Sequence, residues 1–154
     1  MNPKTKIARL SVASNSLLIV MKLVVGIISG SVSIISEAIH SSMDLLAAII
    51  AFFAVKVSDT PPDEKHPYGH GKIENISGVI EGILILVAAA LIISEAVKKL
   101  MGESFEIEAV GIGAAVMFVS AVVNTIVSRR LYKVARETSS VALEADALHL
   151  KTDV

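Results

Sequence analysis

Residues 7–57 read IARLSVASNSLLIVMKLVVGIISGSVSIISEAIHSSMDLLAAIIAFFAVKV, two long apolar runs parted only by Gly30-Ser31. Each run, Ile7–Ile28 and Ser31–Val57, supplies the roughly 20 residues that a helix needs to cross a hydrocarbon layer about 30 Å thick. The break is too short for anything but a tight turn, so the two runs predict an antiparallel helical hairpin. Two further runs, Ile76–Val97 and Ala109–Val127, meet the same length requirement. The expected fold is an all-α membrane protein, a bundle of transmembrane helices.

Composition supports the bilayer as solvent. Hydrophobic residues make up 53% and charged residues 19% of 154 positions, and mean hydropathy is +0.70, more apolar surface than one soluble core of this size could cover. Fourteen Lys and Arg stand against 15 Asp and Glu without blocks of one sign, which leaves no basic face for nucleic acid. Cysteine is absent, so there are no disulfides and no thiolate ligands. Any bound metal would take N and O ligands, which suits zinc, manganese, ferrous iron, cobalt or cadmium and argues against copper(I).

The polar lead from Asn2 to Arg9 runs into a stretch of spanning length without a convincing cleavage site, so it does not read as a removable signal peptide. Lys4, Lys6 and Arg9 precede the first span, Lys56, Lys65 and Lys72 flank the second connection, and Arg129, Arg130, Lys133 and Arg136 follow the fourth span. The Gly30-Ser31 turn has no basic residue. The third connection mixes Lys98 and Lys99 with Glu103, Glu106 and Glu108. The positive-inside rule therefore places the N-terminus, the second connection and the segment after the fourth span in the cytoplasm. The segment 139–154 is too polar and short to be called a span from hydropathy. It reads equally as an amphipathic helix at the cytoplasmic surface or as the start of a fifth span.

All four histidines stand near carboxylates. His40-x-x-x-Asp44 and His149-x-x-x-Asp153 share one spacing. On a helix it puts both side chains on one face, with Cβ atoms about 5–6 Å apart. Two such pairs supply four N and O ligands for a tetrahedral divalent ion. The same spacing also fits a structural pair between helices at His40 and Asp44, or a solvated helix face at His149 and Asp153. A second constellation, Asp63-x-x-His66-x-x-x-His70, lies in a loop with Pro61, Pro62, Pro67, Gly69 and Gly71. That loop reads either as a weaker three-ligand site or as a polar turn.

Other polar residues interrupt the spans. Glu37 shares the face of His40 and Asp44. Asn15, Lys22, Glu81 and Asn124 are candidates for interhelical hydrogen bonds, and Lys22 either pairs with a carboxylate or snorkels. Asp146 reads as a residue of the helix start or of a cavity rather than a ligand. Gly26, Ser29, Ala47, Ala48 and Ala88 to Ala90 suit close helix contact.

The motifs Gly30-Ser31-Val32-Ser33, His40-x-x-x-Asp44, His66-Pro67-Tyr68-Gly69-His70-Gly71-Lys72-Ile73-Glu74 and Asp146-Ala147-Leu148-His149-Leu150-Lys151-Thr152-Asp153 together resemble the cation diffusion facilitators. The resemblance implies six transmembrane helices and a cytoplasmic ferredoxin-like domain. It also implies a homodimer in the cell membrane that exports Zn²⁺ or a related ion in exchange for protons. Residues 1–154 would then be the transmembrane domain, five helices of six, truncated before helix 6 and the C-terminal domain. The transport site would be His40, Asp44, His149 and Asp153, and the resemblance implies a second metal site in some members at the loop holding Asp63, His66 and His70. The metal is the transported substrate, and no prosthetic group is expected. Zn²⁺ ranks first, ahead of Fe²⁺, Co²⁺, Cd²⁺ and Mn²⁺. An enzyme is not expected, because His-Glu-x-x-His is missing and no serine, base and acid form a set. The alternative is a metal-binding assembly or sensing protein without transport.

Overall fold

A computed structural model describes residues 2–101 and 110–154, which form five helices. They are α1 Pro3–Ser29, α2 Val32–Ser58, α3 Lys72–Leu100, α4 Val110–Thr138 and α5 Val141–Thr152. Four of them are long and apolar enough to cross a membrane, over Pro3–Ser29, Val32–Ser58, Lys72–Lys98 and Gly111–Thr138. Glu103, Glu106 and Glu108 of the third connection, and Ala109 at the start of the expected fourth span, lie outside the described residues.

Local chemistry sets the helix ends. Asn2 caps α1 by accepting from the Lys4 amide at 3.2 Å, and Pro3 stands in the first turn, where its missing N–H costs nothing. Gly30 ends α1 in the left-handed conformation at φ 68°, which a residue without Cβ adopts freely. Ser31 then caps α2 by accepting from Ile34 at 3.3 Å. The α1–α2 hairpin closes tightly because Gly26 has no side chain: a Cβ there would lie 2.7 Å from Ile35 Cγ1. Helix α4 continues past the expected end at Val127, so Arg129, Arg130, Lys133 and Arg136 ride on the helix rather than on a segment after it. Arg and Lys are good helix formers, and hydropathy registers only the part of a helix that lies in lipid.

Helix α5 is the structural surprise. Its 12 residues rise only about 18 Å, yet Ala142, Leu143, Ala147 and Leu150 are buried, and the helix contacts α2, α3 and α4. A helix at the membrane surface is therefore not what forms; α5 sits inside the bundle. Its apolar side chains join Ala54, Val55, Val127 and Leu131 in one core. The outer face of the bundle is apolar: Leu17, Ile28, Leu86 and Phe118 are 68%, 82%, 71% and 71% exposed. Polar inside and apolar outside, this is the surface of a protein whose solvent is lipid.

Candidate metal centre

The centre of the bundle is built by α2 and α5. Asp44 lies on the buried face of α2, and His149 on α5 is buried opposite it. His149 Nε2 is 3.3 Å from Asp44 Oδ1, without the geometry of a hydrogen bond, so both ring nitrogens are unsatisfied among the described residues. Asp153, at the end of α5, completes a set in which one ligand atom from each of Asp44, His149 and Asp153 lies within 4.8 Å of the others. Two carboxylates and an imidazole converging at that distance can close on one divalent ion after small side-chain rotations.

His40 does not join that set among the described residues. It stands one turn before Asp44, half-buried, within electrostatic reach of Asp153. It also lines an open groove of about 500 Å³ between α2 and α3, with Ser36, Met43 and Ser94. The groove lies at the end of the bundle remote from the 59–71 loop, so His40 faces the opening from that end.

Asp63, His66 and His70 also come together, with ligand atoms within 4.8 Å of one another. His66 Nδ1 is 3.0 Å and His70 Nε2 3.5 Å from the Asp63 carboxylate, and the two rings lie 4.4 Å apart between centroids. The loop is folded around Asp63, which accepts from the amides of His66 at 2.7 Å and Lys65 at 2.9 Å. The His66 amide, chiefly, with smaller help from the His66 ring and the Lys65 amide, holds the Asp63 carboxyl below the usual carboxylate range. Gly69, at φ 79°, makes the turn that brings His70 back.

Two buried polar networks flank these clusters. Lys22 of α1 donates to Ser41 at 2.7 Å and to Glu37 at 3.1 Å. Of the two alternatives left by the sequence, Lys22 therefore pairs rather than snorkels. At the other end Glu74 of α3 is buried and accepts from Lys4 of α1 at 3.0 Å, from Ser58 of α2 at 2.6 Å and from Ser140 at the start of α5. Sequence reasoning missed Glu74. Its one signal was a carboxylate in the first turn of a span whose flanks are otherwise basic, and a partner 66 residues away has no local signature.

Comparison with known proteins agrees with this architecture. Residues 8–154 match the cation efflux transmembrane domain. The chain is 36% identical over 145 residues to an uncharacterized transporter of Methanocaldococcus jannaschii, covering 94% of this chain and 50% of that protein. It is 33% identical over 147 residues to the cation-efflux pump FieF of Shewanella oneidensis, covering 96% and 49%. It is 30% identical over 149 residues to the manganese efflux system protein MneP of Bacillus subtilis, covering 97% and 50%. The chain thus spans about half the length of the curated relatives it matches.

Proposed function

The chain belongs to the cation efflux family, as a multi-pass protein of the cell membrane, and from that premise we propose that it carries the metal pathway of a divalent cation efflux transporter. The observation that carries this reading is the convergence of Asp44, His149 and Asp153 in the interior of a membrane bundle. Isolated carboxylates are costly in lipid and belong where they meet an ion or a partner. His40 is the fourth ligand of the proposal, supplied by α2 one turn from Asp44. Its position lining the groove is consistent with a role at the far end of the ion's path.

Metal binding requires neutral imidazole and ionised carboxylates, so protons and metal compete for the same groups. With the N-terminus and the 59–71 loop in the cytoplasm, the site loads metal and sheds protons when open to that side. When open to the other side, at lower pH, it does the reverse. Rocking of helices around a site near the midplane is the general form of such transport, and inward proton flow then drives metal outward. Two imidazoles among four ligands favour Zn²⁺ over Mn²⁺, with Fe²⁺, Co²⁺ and Cd²⁺ as further substrates. Asp63, His66 and His70 form the proposed second site, and the working unit is a homodimer in the bilayer. The names of the relatives, a cation-efflux pump and a manganese efflux protein, support the transport of divalent metal.

The experiment is Zn²⁺ flux after a pH jump in everted membrane vesicles from cells expressing the protein, compared with Asp44→Ala and Asp153→Ala. Abolished flux in both variants at undiminished membrane abundance supports one transport site. Unchanged flux in both would reduce the pairs to structure and sink the reading.

A further inference from the structure

Between the Asp44 cluster and the Glu74 network lies a set of polar side chains that neither uses. Asp146 of α5, one helical turn before His149, is fully buried, and both its carboxyl oxygens lack a hydrogen-bond partner among the described residues. Glu81 of α3 is also fully buried. It accepts from Ser77 at 2.8 Å through Oε1 while Oε2 has no partner. The two carboxyl groups lie within electrostatic reach of one another. From α1 the hydroxyl of Ser11, itself completely buried, lies within hydrogen-bonding reach of Asp146 without the full geometry of a bond among the described residues.

The packing explains why the three helices meet here. A Cβ on Gly78 would lie 3.2 Å from Val141 Cγ1 and 3.9 Å from Ala145 Cβ, so the bare backbone of α3 rests on α5 one turn before the two carboxyl groups. Larger residues at that point would hold Glu81 away from Asp146. Buried polar groups are almost always satisfied, and carboxyl groups in a membrane interior face a partner or a pathway. Three fully buried side chains from three helices, each with an oxygen unsatisfied among the described residues and acting on one another through Asp146, are the makings of a ligand set.

We propose that Glu81 and Asp146, with the hydroxyls of Ser11 and Ser77, form a second intramembrane site for a divalent cation. Its donors are all oxygen, which suits a harder ion such as Mn²⁺, whereas both clusters described above contain imidazole. The rise from Asp146 to His149 is about 4.5 Å along α5, so the new site is the next stop for an ion moving between the Glu74 end and Asp44. Its place on a transport path rests on the reading above; its capacity to bind does not.

The test is equilibrium dialysis of the purified, detergent-solubilised protein against Mn²⁺, and separately against Zn²⁺, with Glu81→Gln and Asp146→Asn beside the unaltered chain. Each variant is expected to lose one equivalent of Mn²⁺ and to keep its Zn²⁺ at the imidazole-bearing clusters. Unchanged Mn²⁺ binding in both variants would overturn the site and leave a structural carboxyl pair. Should either carboxamide variant fail to fold, Ser11→Ala removes a single hydroxyl at a position where alanine favours the helix. It is expected to weaken Mn²⁺ binding about tenfold, the loss typical of removing a group that supports a metal, and unaltered affinity again overturns the proposal. Unchanged Zn²⁺ flux in Asp44→Ala and Asp153→Ala, alongside Mn²⁺ binding lost in Glu81→Gln and Asp146→Asn, would sink the transport reading and leave this site standing.

Discussion

Ser140 and Glu74 stand 66 residues apart and are joined by a hydrogen bond in which the serine hydroxyl donates to the buried carboxylate. The same hydroxyl caps α5 by accepting from the Leu143 amide at 3.4 Å. One side chain therefore both starts α5 and ties it to α3, while Lys4 and Ser58 bring α1 and α2 to the same carboxylate. The short central helix is held by its beginning.

Loss of that link should be costly. Ser140→Ala removes a cap worth about 1 kcal/mol and a hydrogen bond to a charged group worth about 1.5–3 kcal/mol. The summed destabilisation should clearly exceed that of Ser31→Ala, which removes a cap alone. Equilibrium unfolding in mixed detergent measures both. A cycle with Glu74→Gln should show coupling between Ser140 and Glu74; equal losses for Ser31→Ala and Ser140→Ala would mean that the bond contributes nothing.

Gly26 and Gly82 make a paired prediction about helix contact. Alanine is the better helix former by about 1 kcal/mol, but at Gly26 its Cβ would sit 2.7 Å from Ile35 Cγ1 and 3.2 Å from the Ile35 amide nitrogen. Overpacking of this kind costs about 1–3 kcal/mol, so Gly26→Ala should be net destabilising. Among the described residues nothing lies within 4 Å of a Cβ at Gly82, and Gly82→Ala should be neutral or stabilising. Thermal unfolding in detergent separates the two, and a stabilised Gly26→Ala protein would show that α1 and α2 are not in close contact.

The four long helices were legible because length and hydropathy are local sums, and α1 to α4 cover the expected spans apart from Ser31, which caps α2, and Ala109, which lies outside the described residues. Helix α5 was left open because its polar residues, Asp146 and His149 among them, lower its hydropathy while facing the bundle interior, which no local average can detect. The spacing of His149 and Asp153 was legible for the same reason that the spans were: it is a property of one helix. Which side chain from another helix meets them was not. Glu81 read as an interhelical hydrogen-bonding residue, yet it bonds within α3 to Ser77. Its relationship to Asp146 depends on how closely Gly78 lets α3 approach α5.

The loop cluster has a defined acid response. Asp63 is held below the ordinary carboxylate range by the His66 amide, so this carboxyl stays ionised, and able to hold metal, further into acid than an ordinary carboxylate. In a protein carrying Asp44→Asn and Asp153→Asn, Zn²⁺ affinity at the loop should fall as pH falls, because protons compete with metal for its ligands. Asp63→Asn in that background should weaken Zn²⁺ at least about tenfold, as read by competition with a fluorescent chelator. Loop affinity unchanged by Asp63→Asn would show that Asp63 is not a ligand.

Lys22 sets the charge around the central cluster. Its ammonium is buried between Glu37 and Ser41 and acts electrostatically on Asp153. A fixed positive charge near a cation site weakens binding of a dication and eases its release. Lys22→Met keeps the length and apolar stem of the side chain and removes the charge, so the cluster becomes more negative. Zn²⁺ affinity should rise by at least about tenfold, because removing the charge removes its repulsion of a dication. Flux should fall, because the ion leaves a tighter site more slowly. Titration calorimetry of the Asp63→Asn protein, with and without Lys22→Met, isolates the central site. Weaker binding instead would mean that Lys22 acts by holding Glu37 and Ser41 in place, so that its loss disorders the face of α2 on which Asp44 stands.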